Sequence, residues 1–306
     1  MENTPLVSVW MIAYNHEGFI KQALESVINQ KTTFPFEVII GEDCSTDGTR
    51  KIIQKFEEQY PQLIKPIYHE KNVGAIRNAY EFCYPRLKGK YIACLEADDY
   101  WTDPLKLQKQ VDFLENNSEY SISWTKYQIL EQNELSFPDW LPILQNKTMY
   151  ELDLNNIFNP YCTYTLTALF KKSAFNATLF NKMKYGKDNT LYCICLSQGK
   201  GAVLNFFGGV YRVHSGGTYS STTELNQYFS NFLNLREIIS LIPGCKTENL
   251  IKFRNGLLIR CYYLACNNKF SSSKLKMLSK LYLYILKYLP LSNKINSFKE
   301  LVKQAI

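Results

Sequence analysis

The chain has 306 residues, of which 46% are hydrophobic and 21% are charged. This length and balance predict one large domain, or one domain with an appendage, and exclude a disordered, fibrous or low-complexity protein. No stretch reaches the roughly 18 consecutive apolar residues of a membrane-spanning helix. The first residues lack the basic start of a secretory signal, so we expect a cytoplasmic protein.

The net charge of +7 is concentrated at one end of the chain. Residues 245–306 contain 12 Lys and Arg against 2 Asp and Glu, whereas the preceding residues are slightly acidic in total. A nucleic-acid enzyme normally carries positive charge on its main binding face. The distribution therefore predicts no nucleic-acid partner.

The nine cysteines are scattered, and several lie in apolar runs. With only three histidines and no C-x-x-C pair, the sequence does not predict a structural zinc site of the usual kind. We expect reduced thiols in the core.

Strand and helix patterns alternate in the first 100 residues. Strands are predicted at 6–13, 37–41, 64–68 and 91–95. Helices are predicted between them, at 17–30, 46–60 and 75–84. This alternation predicts an α/β fold with a mostly parallel sheet that is covered by helices on both faces.

The second half gives weaker patterns. Helices are predicted at 105–116 and 189–197 and strands at 121–125, 165–170, 202–207 and 209–214. Residues 131–159 are irregular, and the chain is helical from about 226. We predict one domain over 1–225, with halves 1–125 and 126–225, and a basic helical C-terminal extension over 226–306.

Polar clusters follow each of the first four predicted strands. These are Asn15-His16-Glu17, Glu42-Asp43, His69 to Asn72, and Glu96 to Asp99. In parallel sheets, ligands bind beyond the carboxyl ends of the strands. We therefore expect one crevice that collects acidic and amide groups from four loops.

The last of these clusters is the most informative. Glu96, Asp98 and Asp99 place three carboxylates within four residues, and these would repel one another unless a cation neutralised them. Mg²⁺ and Mn²⁺ prefer such oxygen ligands and often take further oxygens from a substrate diphosphate. A solvated acidic turn that caps the next helix is the alternative.

Several motifs resemble the nucleotide-sugar-binding half of family 2 glycosyltransferases, which have the GT-A fold. They are VSVWMIAYN at 7–15, GEDCSTDGT at 41–49, NVG at 72–74 followed by Asn78, and EADDYW at 96–101. Downstream, KDNTLY at 187–192 and GVYRVHSGG at 209–217 resemble the acceptor-side aspartate loop and the Tyr-Arg-x-His segment of bacterial members. The resemblance covers about the first 125 residues most clearly.

The resemblance implies a donor site. Its residues would be Ala13, Tyr14, Glu17, Asp43, Asn72, Arg77, Glu96, Ala97 and Asp98. Asp43 would bond the base, and Asp98 and Asp99 would hold the ribose region and a Mn²⁺ or Mg²⁺ ion. Glu96 stands where the family more often has Asp, so it stays open whether Glu96 or Asp98 contacts the metal.

The resemblance also implies acceptor-side chemistry. Inverting transfer needs a carboxylate that removes the proton of the acceptor hydroxyl, and Asp188 is the candidate. The alternative for Asp188 is a simple helix N-cap. His214 is expected to reach the diphosphate or the metal, and Trp101 to lie near the donor or acceptor, whereas His16 and His69 receive no chemical role.

The basic tail has an amphipathic helix pattern. Lys276, Lys280 and Lys287 share one face, opposite Leu275, Leu278, Tyr282, Ile285 and Leu289. This pattern suits contact with the inner face of the plasma membrane. It equally suits packing on the catalytic domain or on a second copy of the chain, and the alternatives stay open.

Together these features predict a metal-dependent inverting glycosyltransferase. The donor would be a nucleoside-diphosphate sugar, with UDP favoured, and the acceptor a hydroxyl of a surface glycan or a lipid-linked oligosaccharide. A non-catalytic sugar-nucleotide or glycan-binding module is the alternative. A sugar nucleotidyltransferase is less favoured, because the loop after the first strand is not rich in glycine and basic residues.

Overall fold

One curled sheet runs through this computed structural model, which describes residues 4–217, 222–267 and 272–289. Its strands are β1 (Val7–Ala13), β2 (Phe36–Glu42), β3 (Ile64–Tyr68), β4 (Tyr91–Cys94), β5 (Tyr100–Trp101), β6 (Tyr120–Glu131), β7 (Glu134–Ser136), β8 (Met149–Leu152), β9 (Leu169–Lys171) and β10 (Lys200–Val213). Their spatial order is β3-β2-β1-β4-β9-β6-β10-β5, with β7 beside β6 and β8 beside β10. The strands from β3 to β4 and the long pair β6–β10 are parallel.

Helices connect and cover these strands. They are α1 (Ile20–Ile28), α2 (Thr49–Gln59), α3 (Ala75–Arg77), α4 (Lys106–Asn116), α5 (Ala177–Phe180), α6 (Asp188–Leu196), α7 (Glu224–Leu241), α8 (Glu248–Asn267) and α9 (Ser272–Tyr288). The predicted α/β class with a helical C-terminal part is confirmed.

The alternation of side chains along β1 shows how both faces of the sheet become buried. Val9 and Met11 pack in one core with residues of α1, α2 and α4. Trp10, which points to the opposite face, belongs to a second core that also contains residues of α6 to α9. Because both faces are covered, these strands are apolar on both sides.

Several predicted elements differ from the structure. Residues 165–170 are not one strand: Thr165–Thr167 form a 3₁₀ turn in which Thr167 N donates to Tyr164 O, and β9 begins at Leu169. The strands predicted at 202–207 and 209–214 are the single strand β10, which changes register beside β6 between Leu204 and Gly209. The break in the strand pattern near residue 208 therefore reflects a register shift inside one strand and not the end of a strand.

Two further predictions need adjustment. The helix predicted at 75–84 is α-helical only in α3, then continues as a π-helix over Asn78–Cys83 and a 3₁₀ turn over Tyr84–Arg86. The stretch 131–159 contains β7 and β8, because each pairs with a long central strand that was not apparent from local sequence.

The C-terminal helices pack on the rest of the protein. Leu278, Ile285 and Leu289 of the predicted apolar face are buried in the same core as α6 and α7, whereas Lys280 and Lys287 are exposed. The side chains of Leu275 and Lys276 lie outside the described residues. The described part of this face is thus covered by the chain itself, and the division at residue 225 stays a prediction.

Two further sequence observations concern membranes and thiols. Among the described helices, none combines the length and the hydropathy needed to cross a bilayer. The nine cysteines all lie in the described part and are free thiols, as expected, and only Cys44 is partly exposed.

Candidate functional site

The loops after β1 and β2 meet at the carboxyl edge of the parallel strands, as the sequence predicted. Asn15 Oδ1 accepts a hydrogen bond from Thr46 N at 2.8 Å. Glu17 N donates to Asp47 Oδ2 at 3.0 Å, and Glu17 Oε2 accepts from Gly48 N at 2.9 Å. Asn15 takes a positive φ of 55°, which Asn tolerates better than most residues. The two loops therefore hold each other in place.

Asp43 connects this pair of loops to the loop after β3. Its Oδ1 accepts from Val73 N at 2.7 Å and its Oδ2 from Gly74 N at 2.9 Å. The side chain is nearly fully buried. Asp43 thus organises the loop that carries Asn72, which is exposed, and its bond to a nucleotide base stays a prediction.

The remaining donor-side residues vary in exposure. Arg77 is exposed and pairs with Glu81 at 2.9 Å. Tyr14 is 43% exposed at the crevice, whereas Ala13 and Ala97 are buried. The two alanines can therefore shape the site by backbone and volume only.

A buried polar network supports the edge from below. Glu42 Oε1 accepts from Ser45 N at 2.6 Å, and its other oxygen pairs with Arg50. Asn78 Nδ2 donates to Gly41 O at 2.8 Å, and its Oδ1 lies 3.0 Å from His69 Nε2. His69 is thus part of a structural network, which agrees with its lack of a predicted chemical role.

Asp98 lies beside two histidines. Its Oδ2 is 3.1 Å from His214 Nε2 and 3.8 Å from His16 Nε2. Burial lowers the pKa of His16 and the neighbouring His214 adds to this effect, although Asp98 opposes it. The Nδ1 atom of His16 is buried and has no hydrogen-bond partner among the described atoms. The sequence placed His16 in the cluster after β1 without a chemical role, and the structure brings it beside Asp98.

Asp99, the neighbour of Asp98, bonds to β10. Its Oδ1 accepts from Arg212 N at 2.8 Å, and the residue is 1% exposed. Burial, together with the charges of Asp98 and Glu96, raises the pKa of Asp99 well above its ordinary value. Asp99 therefore connects the acidic loop to β10, and its role at the metal stays a prediction.

Arg212 completes this connection. Its guanidinium donates to the main-chain oxygen of Asp98 and to Gln22 Oε1 of α1. It also lies 4.5 Å from the centre of the Tyr100 ring and 5.3 Å from that of Phe19. Arg212 thus joins the acidic loop, α1 and β10 around one buried charge.

The charge of Asp188, from the second half of the chain, acts on Glu96 of the acidic loop. Burial raises the pKa of Glu96 to about 8, and the carboxylates of Asp98 and Asp188 contribute to this increase. Burial likewise raises the pKa of Asp188. The structure thus brings the predicted base from the second half of the chain close to the acidic loop of the first half.

The position of Asp188 differs from that of a helix N-cap. Asp188 is the first residue of α6, and Lys187 occupies the N-cap position. Lys187 N donates to Thr190 Oγ1 at 3.2 Å, and Asp188 Oδ1 accepts from Asn189 N at 2.8 Å. The capping contact is therefore made by Lys187 and Thr190, and the Asp188 carboxylate does not serve as the N-cap.

Helix α7 supports this loop from behind. Tyr185 N donates to Glu237 Oε2 at 2.8 Å. Asn234 Nδ2 donates to Tyr185 O at 2.8 Å and to Thr190 Oγ1 at 2.7 Å. No local motif could have revealed these contacts, because Asn234 and Glu237 lie more than 40 residues further along the chain than their partners.

Trp101, which the sequence places near the donor or acceptor, is buried in the core. It is 4% exposed, its Nε1 donates to Leu166 O at 2.8 Å, and Lys106 Nζ lies 4.3 Å from its ring centre. Trp101 is a core residue, because β5 pairs with β10 and turns its side chain inward.

The acidic loop suits a metal ion that a substrate helps to hold. In the described ranges no three His, Cys, Asp or Glu side chains form a metal site by themselves. However, Asp98 and His214 offer an oxygen and a nitrogen within 3.1 Å of each other, and His16 is adjacent. Mg²⁺ is typically bound by one or two carboxylates plus substrate phosphates, so these residues fit a Mg²⁺ or Mn²⁺ ion.

A parallel sheet with acidic strand-end loops, continued by a mixed second half, is the arrangement of GT-A glycosyltransferases. The sequence model of Glycosyl transferase family 2 matches residues 8–177, which is more than half of the chain. The chain therefore belongs to this family, and the resemblance found in its motifs is confirmed.

Sequence relatives agree with this assignment. TuaG of Bacillus subtilis, which is named for teichuronic acid biosynthesis, is 39% identical over 131 residues, or 42% of this chain and 49% of TuaG. The chain spans less than half the length of several curated relatives that it matches, from 39% to 49%. Because the match covers less than half of these relatives, their names alone do not assign an activity or substrate to this protein.

Solved structures confirm the fold. TarS of S. aureus in complex with UDP-GlcNAc superimposes with a TM-score of 0.70 at 18% identity, covering 97% of this chain and 88% of that one. A mannosyltransferase of Pyrobaculum calidifontis in complex with GDP-Man and Mn²⁺ gives a TM-score of 0.58 at 15% identity, covering 99% and 87%. At these identities the likeness shows a common fold.

Proposed function

We propose that this protein is an inverting glycosyltransferase that moves a sugar from a nucleoside-diphosphate donor to a hydroxyl of a surface glycan or lipid-linked acceptor. The observation that carries the proposal is that Asp98 lies 3.1 Å from His214 Nε2, while Asp98 and Asp188 both help to raise the pKa of Glu96. UDP is the favoured nucleotide, because the TarS complex contains UDP-GlcNAc. The name of TuaG supports a surface glycan as the acceptor class.

The loops that follow the parallel strands would form the donor side of the site. Asp43 and the loop with Asn72 would bind the base, and Tyr14, Glu17 and Arg77 would line the nucleotide. Asp98 and His214, with His16 adjacent and Asp99 behind them, would hold Mn²⁺ or Mg²⁺. When bound, such an ion supplies positive charge to the departing diphosphate and so replaces a general acid.

The reaction needs one base from this chain. The acceptor oxygen attacks the anomeric carbon as the bond from that carbon to the diphosphate breaks, and the hydroxyl proton passes to the Asp188 carboxylate. The raised pKa of Asp188 makes it a stronger base than an exposed Asp, since burial destabilises its ionised form. The products are the extended acceptor, the nucleoside diphosphate and a protonated Asp188.

Aromatic side chains extend from Asp188 on the acceptor side. Tyr161 is 38% exposed, and its hydroxyl donates to Asn189 Oδ1 at 3.3 Å. The Tyr161 and Tyr164 ring centres are 5.8 Å apart, and those of Tyr164 and Tyr211 are 5.0 Å apart. Amphipathic aromatic surfaces suit the apolar faces of sugar rings, so we place the acceptor along these tyrosines.

A ligand panel tests this function. We would measure the melting temperature with a series of nucleotide sugars, with and without Mn²⁺. A donor at about 100 times its Kd should stabilise the folded protein by about 2.7 kcal/mol. Asp98→Asn should lose the Mn²⁺-dependent part of this stabilisation, whereas Asp112→Asn on the exposed side of α4 should retain it.

The stabilising donor would then be offered with glycan acceptors. Transfer with inversion at the anomeric carbon would support the proposal. Stabilisation without hydrolysis or transfer would indicate a sugar-nucleotide-binding module instead. Failure of every nucleotide sugar to stabilise the protein would contradict the donor site itself.

A further inference from the structure

A second candidate site lies among the C-terminal helices, away from the crevice. A cavity of about 410 Å³ opens between α7, α8 and α9. Its charged lining residues are Arg236 and Glu237 from α7, Arg254 from α8 and Lys287 from α9. Three cations and one carboxylate thus surround one cavity.

The single carboxylate does not neutralise the cations. Glu237 Oε2 accepts a hydrogen bond from Tyr185 N at 2.8 Å, on the side of the Asp188 loop. In the described segments no Asp or Glu lies within ion-pair distance of Arg236, Arg254 or Lys287, although other basic residues of α8 do have such partners. The repulsion among the three cations is therefore left for a bound anion to relieve.

Arg254 is the clearest sign of a binding site. It is 8% exposed, and buried arginines are uncommon unless they are paired with an acid. Its Nη2 donates to Asn255 Oδ1 at 2.8 Å, and its guanidinium lies 4.2 Å from the centre of the Tyr288 ring. Both neighbours are neutral, so they orient the guanidinium without compensating its charge.

The other two cations are held in a similar way. Arg236 Nη1 donates to Tyr284 OH at 3.0 Å. Lys287 Nζ lies 5.3 Å from the centre of the Tyr288 ring, which is the ring that Arg254 also contacts. The aromatic residues of α9 therefore bring Arg254 and Lys287 toward the same cavity.

We propose that this cavity binds a phosphate group. Arginine forks match phosphate oxygens in pairs, and a lysine adds a point charge, so Arg236, Arg254 and Lys287 form a suitable donor set. The phosphate can come from a phospholipid headgroup or from a soluble phosphate compound. Both sources would be recognised through the same phosphate oxygens, and vesicle binding distinguishes them.

The first experiment uses inorganic phosphate as the probe. Thermal stability of the full chain would be followed during phosphate titration at constant ionic strength, with chloride as the reference. The Asp98→Asn background weakens binding at the donor crevice, which is also expected to bind phosphate. Arg236→Gln and Lys287→Gln should each raise the Kd for phosphate in this titration about tenfold, because each removes one charged hydrogen bond.

Matched variants make this result specific. Lys280→Gln removes the same charge from an exposed position of α9 outside the cavity and should leave phosphate binding unchanged. Arg254→Gln alters a buried residue and can unfold the chain, so the two more accessible cations carry the test. No stabilisation by phosphate beyond chloride, or an equal loss in Lys280→Gln, would overturn the proposal.

Vesicle flotation distinguishes the two sources. The full chain would be mixed with phosphatidylcholine vesicles that contain or lack phosphatidylglycerol. If Lys287→Gln lowers binding to the anionic vesicles severalfold more than Lys280→Gln, the phosphate is a lipid headgroup. If Lys287→Gln and Lys280→Gln both float like the parent, although only Lys287→Gln binds inorganic phosphate more weakly, the ligand is a soluble phosphate compound.

Discussion

The two sides of the crevice are held by different means. On the donor side, the loops after β1, β2 and β3 bond directly to one another, as in the contacts from Asp43 to Val73 N and Gly74 N. On the other side, the loop that precedes α6 is held from behind by α7, through Asn234 and Glu237. The donor side is thus organised by neighbouring strands of one sheet, whereas the position of Asp188 depends on packing against a later helix.

The largest expected effect is that of Asp188→Asn, which should lower kcat without changing donor affinity. Asp188→Asn should reduce kcat roughly 10³-fold, because a general base typically contributes about 10² to 10⁴. Donor affinity and melting temperature should change little, since the donor loops do not depend on this carboxylate. Steady-state transfer kinetics with a donor-binding titration would measure both. Asp139→Asn, an exposed carboxylate of the same half, is the control, and near-normal turnover of Asp188→Asn would remove it from the mechanism.

The pH profile checks the same assignment. Burial raises the pKa of Asp188, and the base is active only when ionised, so kcat/KM should increase with pH until this raised pKa is passed. The acidic limb should therefore lie at higher pH than that of an exposed Asp. In Asp188→Asn this limb should disappear from the residual rate, and its persistence would point to another group.

A smaller effect is expected on the donor side. Asp43→Ala leaves Val73 N and Gly74 N without their acceptors, at a cost of about 1–3 kcal/mol. Because these bonds shape the loop that we propose binds the nucleotide, we expect donor KM to increase between about tenfold and a hundredfold, with kcat much less affected. Glu70→Gln, at an exposed position of the same loop, should behave like the parent. An unchanged donor KM in Asp43→Ala would show that the loop keeps its shape without Asp43.

The smallest effect should come from the support behind Asp188. Asn234→Ala removes two hydrogen bonds to the loop and should lower kcat about tenfold while leaving donor affinity intact. Asn226→Ala, the same change at an exposed position of α7, is the control. If Asn234→Ala lowered donor affinity as much as kcat, the donor side and the Asp188 side of the crevice would not be independent.

The sequence predicted the donor half well because its signals are local. Apolar runs and helical periodicity located β1 to β4 and α1, α2 and α4, and parallel strands necessarily bring their carboxyl ends to one edge. The predicted clusters at Asn15, Asp43 and Asp98 do meet there. His16 was expected at this edge but received no chemical role, because a single histidine in a loop has no pattern that separates a ligand from a surface residue.

The second half could be predicted only in part. The helix at Asp188 was found, but the strand expected at 165–170 was wrong, and β10 was divided in two. Trp101 was placed at the site on the strength of its neighbours, although pairing of β5 with β10 buries it. In each case a partner distant in sequence decided the outcome.

The amino-acid sequence by itself determined the family, the parallel half-sheet and the residues that line its edge, because hydrophobic period and short polar motifs are properties of neighbouring residues. Tertiary structure alone decided that the charge of Asp188 acts on Glu96, that Asp99 bonds to Arg212 N, and that Arg236, Arg254 and Lys287 line one cavity. These arrangements follow from packing between segments far apart in the chain, where burial and charge are set by the whole fold.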